Sequence, residues 1–235
     1  MSSKKELLEL IQQFRTQVKS AALPEAFRVP ATLGSNGFFS NTTGKLAYNN
    51  RVYCFTGPSS TRLDNWSSCT LRIGQSTFQS SEQVIFAACK AGLFQDEAAL
   101  MEAVSTPEMS ASQAKYLGRN VQNFVESVWK GNAGWMSDVA ILIKCLQNVE
   151  VMEELVRTRG LMIGEASKRD LVWGIGVEAS HAASLDPNKW RGKNWLGQSL
   201  VRVREFLLQE EAGLLITSEQ NLDLFYSWFE GKQIQ

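Results

Sequence analysis

A mainly α-helical single domain with a small β component is the fold class this sequence predicts, and three observations predict it. The chain has 235 residues, 44% of them hydrophobic and only 20% charged, enough to bury one large core. Apolar residues recur at helical spacing through most of residues 80–156. Alternation with a period of two is confined to residues 51–55 and 69–73, so strands are a minor part of the fold.

The elements follow in order. Ser3 and Glu6 stand at capping-box spacing, and Leu7, Leu10, Ile11, Phe14 and Val18 share one helical stripe, which predicts a first helix ending before Pro24. Residues 24–50 are rich in Gly, Asn, Ser, Thr and Pro, the composition of a long surface segment with room for short strands. The two strands at 51–55 and 69–73 are separated by turn chemistry at 57–60 and at Leu63-Asp64-Asn65-Trp66. Beyond Thr77 the pattern turns helical: Ser80 and Gln83 offer a second capping pair, Glu82 falls in the first turn, and Val84, Ile85, Ala87, Ala88 and Leu93 form an apolar face. Further helices are predicted at 96–104, 110–129, 135–146 and 149–156, with Pro107, Gly131 and Gly134 as punctuation. Residues 196–208 and a stretch holding Leu222, Phe225, Tyr226 and Phe229 complete the helices. No internal repeat interrupts this order. It divides into an N-terminal helix and loop extension (1–50), a central domain (51–208) and a C-terminal helical extension packed on it (209–235).

Basic and acidic side chains balance at 24 each, which argues against broad electrostatic capture of nucleic acid and leaves a small anionic ligand open. Cys54, Cys69, Cys89 and Cys145 are widely spaced with no C-x-x-C pair, a pattern that disfavours a structural zinc site or a disulfide framework and suits a reducing compartment. His181 is the only histidine, so a histidine-rich metal centre is excluded; its Ala/Ser-rich surroundings mark a loop residue. No apolar run reaches the roughly 20 residues of a membrane span, and Lys4-Lys5-Glu6 leads into an amphipathic pattern. A cytoplasmic protein with no export signal and no membrane partner is expected.

Two runs stand apart from any helical or strand period. Glu165-Ala-Ser-Lys-Arg-Asp170-Leu-Val-Trp173-Gly174-Ile-Gly176 and Trp190-Arg-Gly192-Lys-Asn194-Trp-Leu196-Gly197 concentrate acids, an amide, tryptophans and glycines. Glycines permit positive backbone angles or close approach, and an indole beside a carboxylate can grip a flat polar ligand. The runs resemble the E-x-S-x-x-D-x-x-W-G-x-G and W-x-G-x-N-x-L-G signatures of the NADAR family, which comprises small N-glycosidases and ADP-ribose-associated proteins. Upstream, Arg51-Val-Tyr53-Cys-Phe55, Ser81-Glu82-Gln83 leading to Lys90-Ala91, Gly118-Arg119 with Val121, Phe124 and Trp129, and Lys144-Cys-Leu-Gln147-Asn148 stand in the same family order. The resemblance covers about residues 51–208. The chain departs from it at Leu63-Asp64-Asn65-Trp66, where the family reads L-S-N-F, and at 131–135, which lacks an arginine common there.

The resemblance implies a NADAR-like fold and hydrolysis of a bond between ribose C1 and an amino nitrogen, in ribosylamino-pyrimidine phosphates or in ADP-ribosylated guanine of nucleic acid. Such a bond breaks through an oxocarbenium-like sugar, which a carboxylate stabilises while an acid protonates the leaving nitrogen. Glu82 and Asp170 are the candidates for these roles, with Glu165 a third. Glu82, in a helical first turn, suits the base or cation-stabilising role, because the helix dipole favours its charged form. In a second route Lys90 attacks the ring-opened imine, which requires burial or a cationic neighbour to lower its pKa. The sequence shows neither. On a continuous α-helix Glu82 and Lys90 lie about 12 Å apart along the axis and about 80° apart around it. Trp173 and Trp190 are candidates to stack on the base or line the ribose pocket, with core packing the alternative. Gly174 and Gly176 would bring backbone close to a ligand or form tight turns. Asn194 either donates to a sugar or phosphate oxygen or caps the following helix. Arg119, Lys144 and Arg204 are candidate phosphate ligands; since Arg202 and Arg204 point in different directions on one helix, at most one of them would reach the pocket. No cofactor and no metal is implied, and water is the second substrate. A module that binds ADP-ribose without cleaving it, and an interaction protein whose tryptophans are all core, remain the competing readings. The oligomeric state is not encoded in these patterns.

Overall fold

The capping pairs and apolar stripes become helices where the spacing places them. A computed structural model describes residues 3–20, 39–40, 44–208 and 217–230. The chain divides into two units: Met1–Thr16, Ser68–Asn148 and Glu210–Gln235 form the first, Gln17–Ser67 and Val149–Gln209 the second. The described elements are mainly α-helical with a small β component.

In the first unit, α1 (Lys4–Ser20) begins where Ser3 Oγ accepts from the Glu6 N–H at 3.3 Å, and it buries Leu7 and Ile11. Lys4 Nζ pairs with Asp223 at 2.6 Å and so joins α1 to α8 (Glu219–Ser227). The predicted strand at 69–73 is shorter, β4 (Leu71–Ile73), and turns at Gly74 (φ +60°) into an antiparallel partner, β5 (Ser76–Phe78). The sequence hid β5 because its three residues run into the Ser80 helical signal. Phe78 is buried edge-on against Phe229, just beyond α8.

A helical run follows: a π-helical segment, Gln83–Cys89, continues directly into α2 (Lys90–Leu93). After it come α3 (Glu97–Ser105), α4 (Ala111–Arg119) and α5 (Glu126–Gln147). The expected helices at 110–129 and 135–146 are therefore divided differently. Gly131 and Gly134 lie inside α5, where each costs only about 1 kcal/mol, and the buried run from Met136 to Cys145 holds the helix together. The break falls instead at residues 120–125, where Asn123 takes φ +56° and the Gln122 N–H donates to Asp96 Oδ2 at 2.8 Å. Asp96 Oδ1 meanwhile accepts from Ala99 N at 3.0 Å and caps α3.

In the second unit β1 (Phe39–Ser40), β2 (Leu46–Tyr48), β3 (Val52–Phe55) and β6 (Met162–Glu165) form a sheet in the order β1-β2-β3-β6. β1, β2 and β3 are antiparallel neighbours, whereas β3 and β6 are parallel, with Val52 opposite Met162 and Phe55 opposite Glu165. α6 (Val149–Arg157) precedes β6, and α7 (Trp195–Leu208) packs on it. Val52, Cys54, Ala166, Ile175 and Val177 make a core cluster beside this sheet. Residues 21–38, most of the expected surface segment, lie outside the described residues. Among the described residues no helix is long and apolar enough to cross a membrane.

Candidate functional site

In the first unit the entry to the 81–93 helix is capped as Ser80 and Gln83 predict. Ser80 Oγ accepts from Gln83 N at 3.2 Å, and Gln83 Oε1 accepts from Gln79 N at 3.0 Å. The Gln83 amide also donates to Ala103 O (3.1 Å) and Thr106 O (2.8 Å), which ties this entry to the end of α3. With the cap supplied by Ser80, Glu82 makes no side-chain cap bond to the helix and sits 5% exposed in the first turn. The π-helical turn then widens the backbone, a rare geometry that occurs frequently at functional sites. The α-helical rise and azimuth expected between Glu82 and Lys90 do not apply across it.

Lys90 leaves this wide turn half-buried. Its Nζ donates to Gly118 O at 2.6 Å and lies 4.2 Å from the centroid of the Phe124 ring and 5.4 Å from that of Trp129. A Cβ on Gly118 would stand 1.9 Å from Phe86 O, so only glycine lets α4 press onto the π segment closely enough for its carbonyl to reach the amine. Burial lowers the Lys90 pKa below the ordinary lysine value, while the carbonyl and the rings favour the ammonium. No carboxylate among the described residues forms a salt bridge with it. One of the two conditions for a nucleophilic lysine is therefore present, although the sequence displayed neither. Phe124 and Trp129 were legible only as members of the family order, not as lysine neighbours.

Arg119, directly after Gly118, is exposed in the last turn of α4 and remains open to an anion. Lys144 does not fit the expected phosphate clamp: it is 1% exposed, within the buried face of α5. Burial also raises the Cys54 and Cys145 thiols to about 12, so neither supplies a thiolate nucleophile.

In the second unit the two signature runs do come together. Asp170 Oδ1 accepts from Val172 N (2.9 Å) and Trp173 N (2.8 Å), forming the turn that delivers Trp173, while Asp170 Oδ2 has no protein hydrogen bond among the described residues. Asn194 takes φ +56° and clasps β6: its Nδ2 donates to Ile163 O at 2.7 Å and its Oδ1 accepts from Glu165 N at 3.2 Å. Of its two expected roles, neither describes this tie, since both ends of the amide are used by strand backbone. Asn194→Ala should cost about 2–4 kcal/mol, because it strands two buried peptide groups. Urea denaturation checks this, and an unchanged midpoint would refute it.

The glycines serve the same packing. A Cβ on Gly192 would meet Gly174 O at 2.1 Å, and one on Gly197 would meet Ile163 O at 2.0 Å. A Cβ on Gly174 would meet Asp170 O and Glu165 O at 3.0 Å each, and Gly176 turns at φ +71° with its carbonyl taken by the Arg191 guanidinium. These residues bring backbone close to backbone, and Gly197 also borders, with Asn194 and Arg204, a pocket of about 440 Å³. Trp190 likewise packs on the core cluster and donates Nε1 to Ser184 O at 2.9 Å. Trp173 is largely buried, edge-to-face with Trp195 at 5.6 Å. Arg204 corrects a second clamp expectation: it is 3% exposed, donates to Thr158 O, Thr158 Oγ1 and Leu161 O, and pairs with Glu205. Glu165 ends β6, half-buried. His181 is the loop residue its neighbours predict, with Nδ1 accepting from Ala183 N at 3.1 Å.

The second unit also holds a cleft of about 840 Å³ that none of the predicted residues lines. Its fixed point is Glu154, which accepts from Tyr53 Oη at 3.1 Å, from Thr61 Oγ1 and from Arg62 N at 3.0 Å. That carboxylate is consumed in joining β3 and the 58–62 loop to α6.

Residues 38–208 match the NADAR domain family, and the chain belongs to it. Among curated proteins it is similar to an N-glycosidase of Acanthamoeba polyphaga mimivirus, 41% identical over 91 residues, which cover 39% of this chain and 54% of that one. It is also similar to the protein irg-1 of Caenorhabditis elegans, 36% identical over 102 residues, covering 43% and 48% of the two chains. The chain spans about half the length of these curated relatives. The solution structure of Escherichia coli YbiA shares the fold, with a TM-score of 0.54 at 20% identity over 76% of this chain and 90% of that chain.

Proposed function

We propose that this protein is an N-glycosidase that hydrolyses the bond between ribose C1 and an amino nitrogen of a nucleobase-like group. Ribosylamino-pyrimidine phosphates and ADP-ribosylated guanine are the substrate classes this chemistry suits. One observation carries the reading: a half-buried lysine amine, held by a carbonyl and two aromatic rings and, among the described residues, in no salt bridge, on the same helical run as the buried carboxylate Glu82. The resemblance to a viral N-glycosidase supports it.

The chemistry has two balanced forms. In direct hydrolysis the C1–N bond breaks, the leaving nitrogen takes a proton from an acid, and Glu82 stabilises the sugar cation and removes a proton from the attacking water. In the lysine form the sugar ring opens to an imine at C1 and neutral Lys90 adds there. The amine then leaves with the proton the lysine gives up, and water hydrolyses the resulting lysine imine, returning Lys90 and free sugar. Both consume one water and release one amine. Exposed Arg119 is the candidate for substrate phosphate in this reading.

Mass spectrometry of products from a ribosylamino-pyrimidine phosphate, and separately from an ADP-ribosyl-guanine oligonucleotide, tests the proposal. Free amine and free sugar from either one support it. Binding of ADP-ribose without product over hours would instead identify a recognition module.

A further inference from the structure

Lys90 is enclosed on three sides by groups from three elements: the Gly118 carbonyl at the end of α4, the Phe124 ring from the turn before α5, and Trp129 in α5. Trp129 is 8% exposed and rests on Phe86 at 5.9 Å, a core position. Phe124 differs, being 44% exposed in a turn that shows no periodic apolar pattern. An exposed phenylalanine in an exposed turn gains little from burial, yet this one is held with unusual care.

The Gln122 N–H is bonded to Asp96 Oδ2, the Asn123 amide donates to Phe94 O at 3.4 Å, and the Asn123 backbone adopts a left-handed angle that few residues accept. The Phe94 ring then meets Phe124 edge-on at 5.2 Å. Asp96 thus serves both the start of α3 and the turn. The combined effect is to fix one aromatic face over one amine.

We propose that Phe124 is a positioning residue for the reaction, its ring controlling the water exposure and protonation of the Lys90 amine. The proposal deepens the lysine reading given above and rests on it. The ring acts in two opposed ways: its bulk keeps water from the nitrogen, which favours the neutral amine, and its π face attracts the ammonium. Among the described residues no acid from α4, the turn, α5 or the lysine's own helix forms a salt bridge with that nitrogen, and burial lowers its pKa. These two effects of Phe124 therefore stand uncovered by any ion pair, and two substitutions separate them. Phe124→Leu keeps bulk and removes the π face; Phe124→Ala removes both and admits water.

The test is the pH midpoint for acylation of Lys90 by a small N-hydroxysuccinimide ester, read by peptide mass spectrometry on the full chain. It needs no substrate. Phe124→Leu should lower the midpoint by about half a unit, equivalent to a threefold change in the neutral fraction. Phe124→Ala should raise it. Thermal midpoints for both variants confirm folding, which the exposure of the side chain favours. Midpoints that stay at the wild-type value, or move in the same direction in both variants, overturn the proposal. Failure of the wild-type protein to form a borohydride-trapped sugar adduct at Lys90 would overturn the lysine route itself, and the acylation midpoints would still decide what Phe124 does.

Discussion

Glu82→Gln should reduce cleavage by about 10²–10⁴-fold while leaving the protein folded. The substitution keeps volume and planarity and removes the charge that the proposed mechanism sets against a developing sugar cation. Its cost to the fold is small for a specific reason: Ser80 and Gln83, not Glu82, make the capping bonds of this helix. The amide also gives up the favourable placement of a first-turn carboxylate against the helix dipole, about 0.3–1 kcal/mol. The measurement is kcat on whichever ribosyl substrate the wild-type protein cleaves, alongside a thermal melt. A cooperative transition within a few degrees of wild type and a collapsed kcat is the expected pair of results. If kcat survives at the wild-type level, the carboxylate is a buried structural acid and the assignment of chemistry to the 81–93 helix is wrong. Glu82→Ala would be less informative, because a cavity in a buried first turn confounds function with packing.

What the sequence made legible follows from how local each signal was. The capping pairs Ser3/Glu6 and Ser80/Gln83 act over three residues through fixed backbone geometry, and in both the serine hydroxyl accepts from the N–H three residues on, while the Gln83 side chain accepts from Gln79 N rather than Ser80 N. The mainly helical character rests on side-chain period, and it too was readable. The misplaced boundaries arose where tertiary contacts outweighed propensity. Gly131 and Gly134 look like helix breakers in isolation, but the buried C-terminal half of α5 outweighs them, and the true break was set by Asp96, about two dozen residues upstream of Gln122. β6 escaped notice because a four-residue strand with a glycine has no period to detect and gains its identity from a parallel partner far away in the chain. The candidate site was read from the order of its motifs. Motif order singled out Glu82, Lys90 and Asp170, yet the glycines and Asn194 of the second signature are explained by backbone packed against backbone. Nothing in residue types distinguishes a glycine that admits a ligand from one that admits a carbonyl. The π-helical turn has no sequence signature at all, and it decides where Lys90 points.

Lys90→Met and Lys90→Arg should both lose activity, by about 10³-fold or more if the lysine route operates, and neither should yield an adduct when borohydride is present during turnover. The pair separates two roles for one side chain. Arginine preserves the positive charge and can still donate to Gly118 O, but it stays protonated in a protein and cannot attack an imine. Methionine fills similar space between Phe124 and Trp129 with no charge. If Lys90 worked only by holding a substrate phosphate or carbonyl, Lys90→Arg would keep much of its activity and Lys90→Met would not. Equal loss in both points to the free amine as the reactive species. The pH profile supplies the sign: because only the neutral form attacks, wild-type activity should fall as pH drops below the Lys90 pKa. Burial places that pKa below the ordinary lysine value, so activity should persist to lower pH than an exposed lysine would permit. A wild-type profile with its acid limb in the carboxylate range, together with substantial turnover by Lys90→Arg, would remove the amine from the chemistry and leave direct hydrolysis assisted by Glu82 as the surviving mechanism.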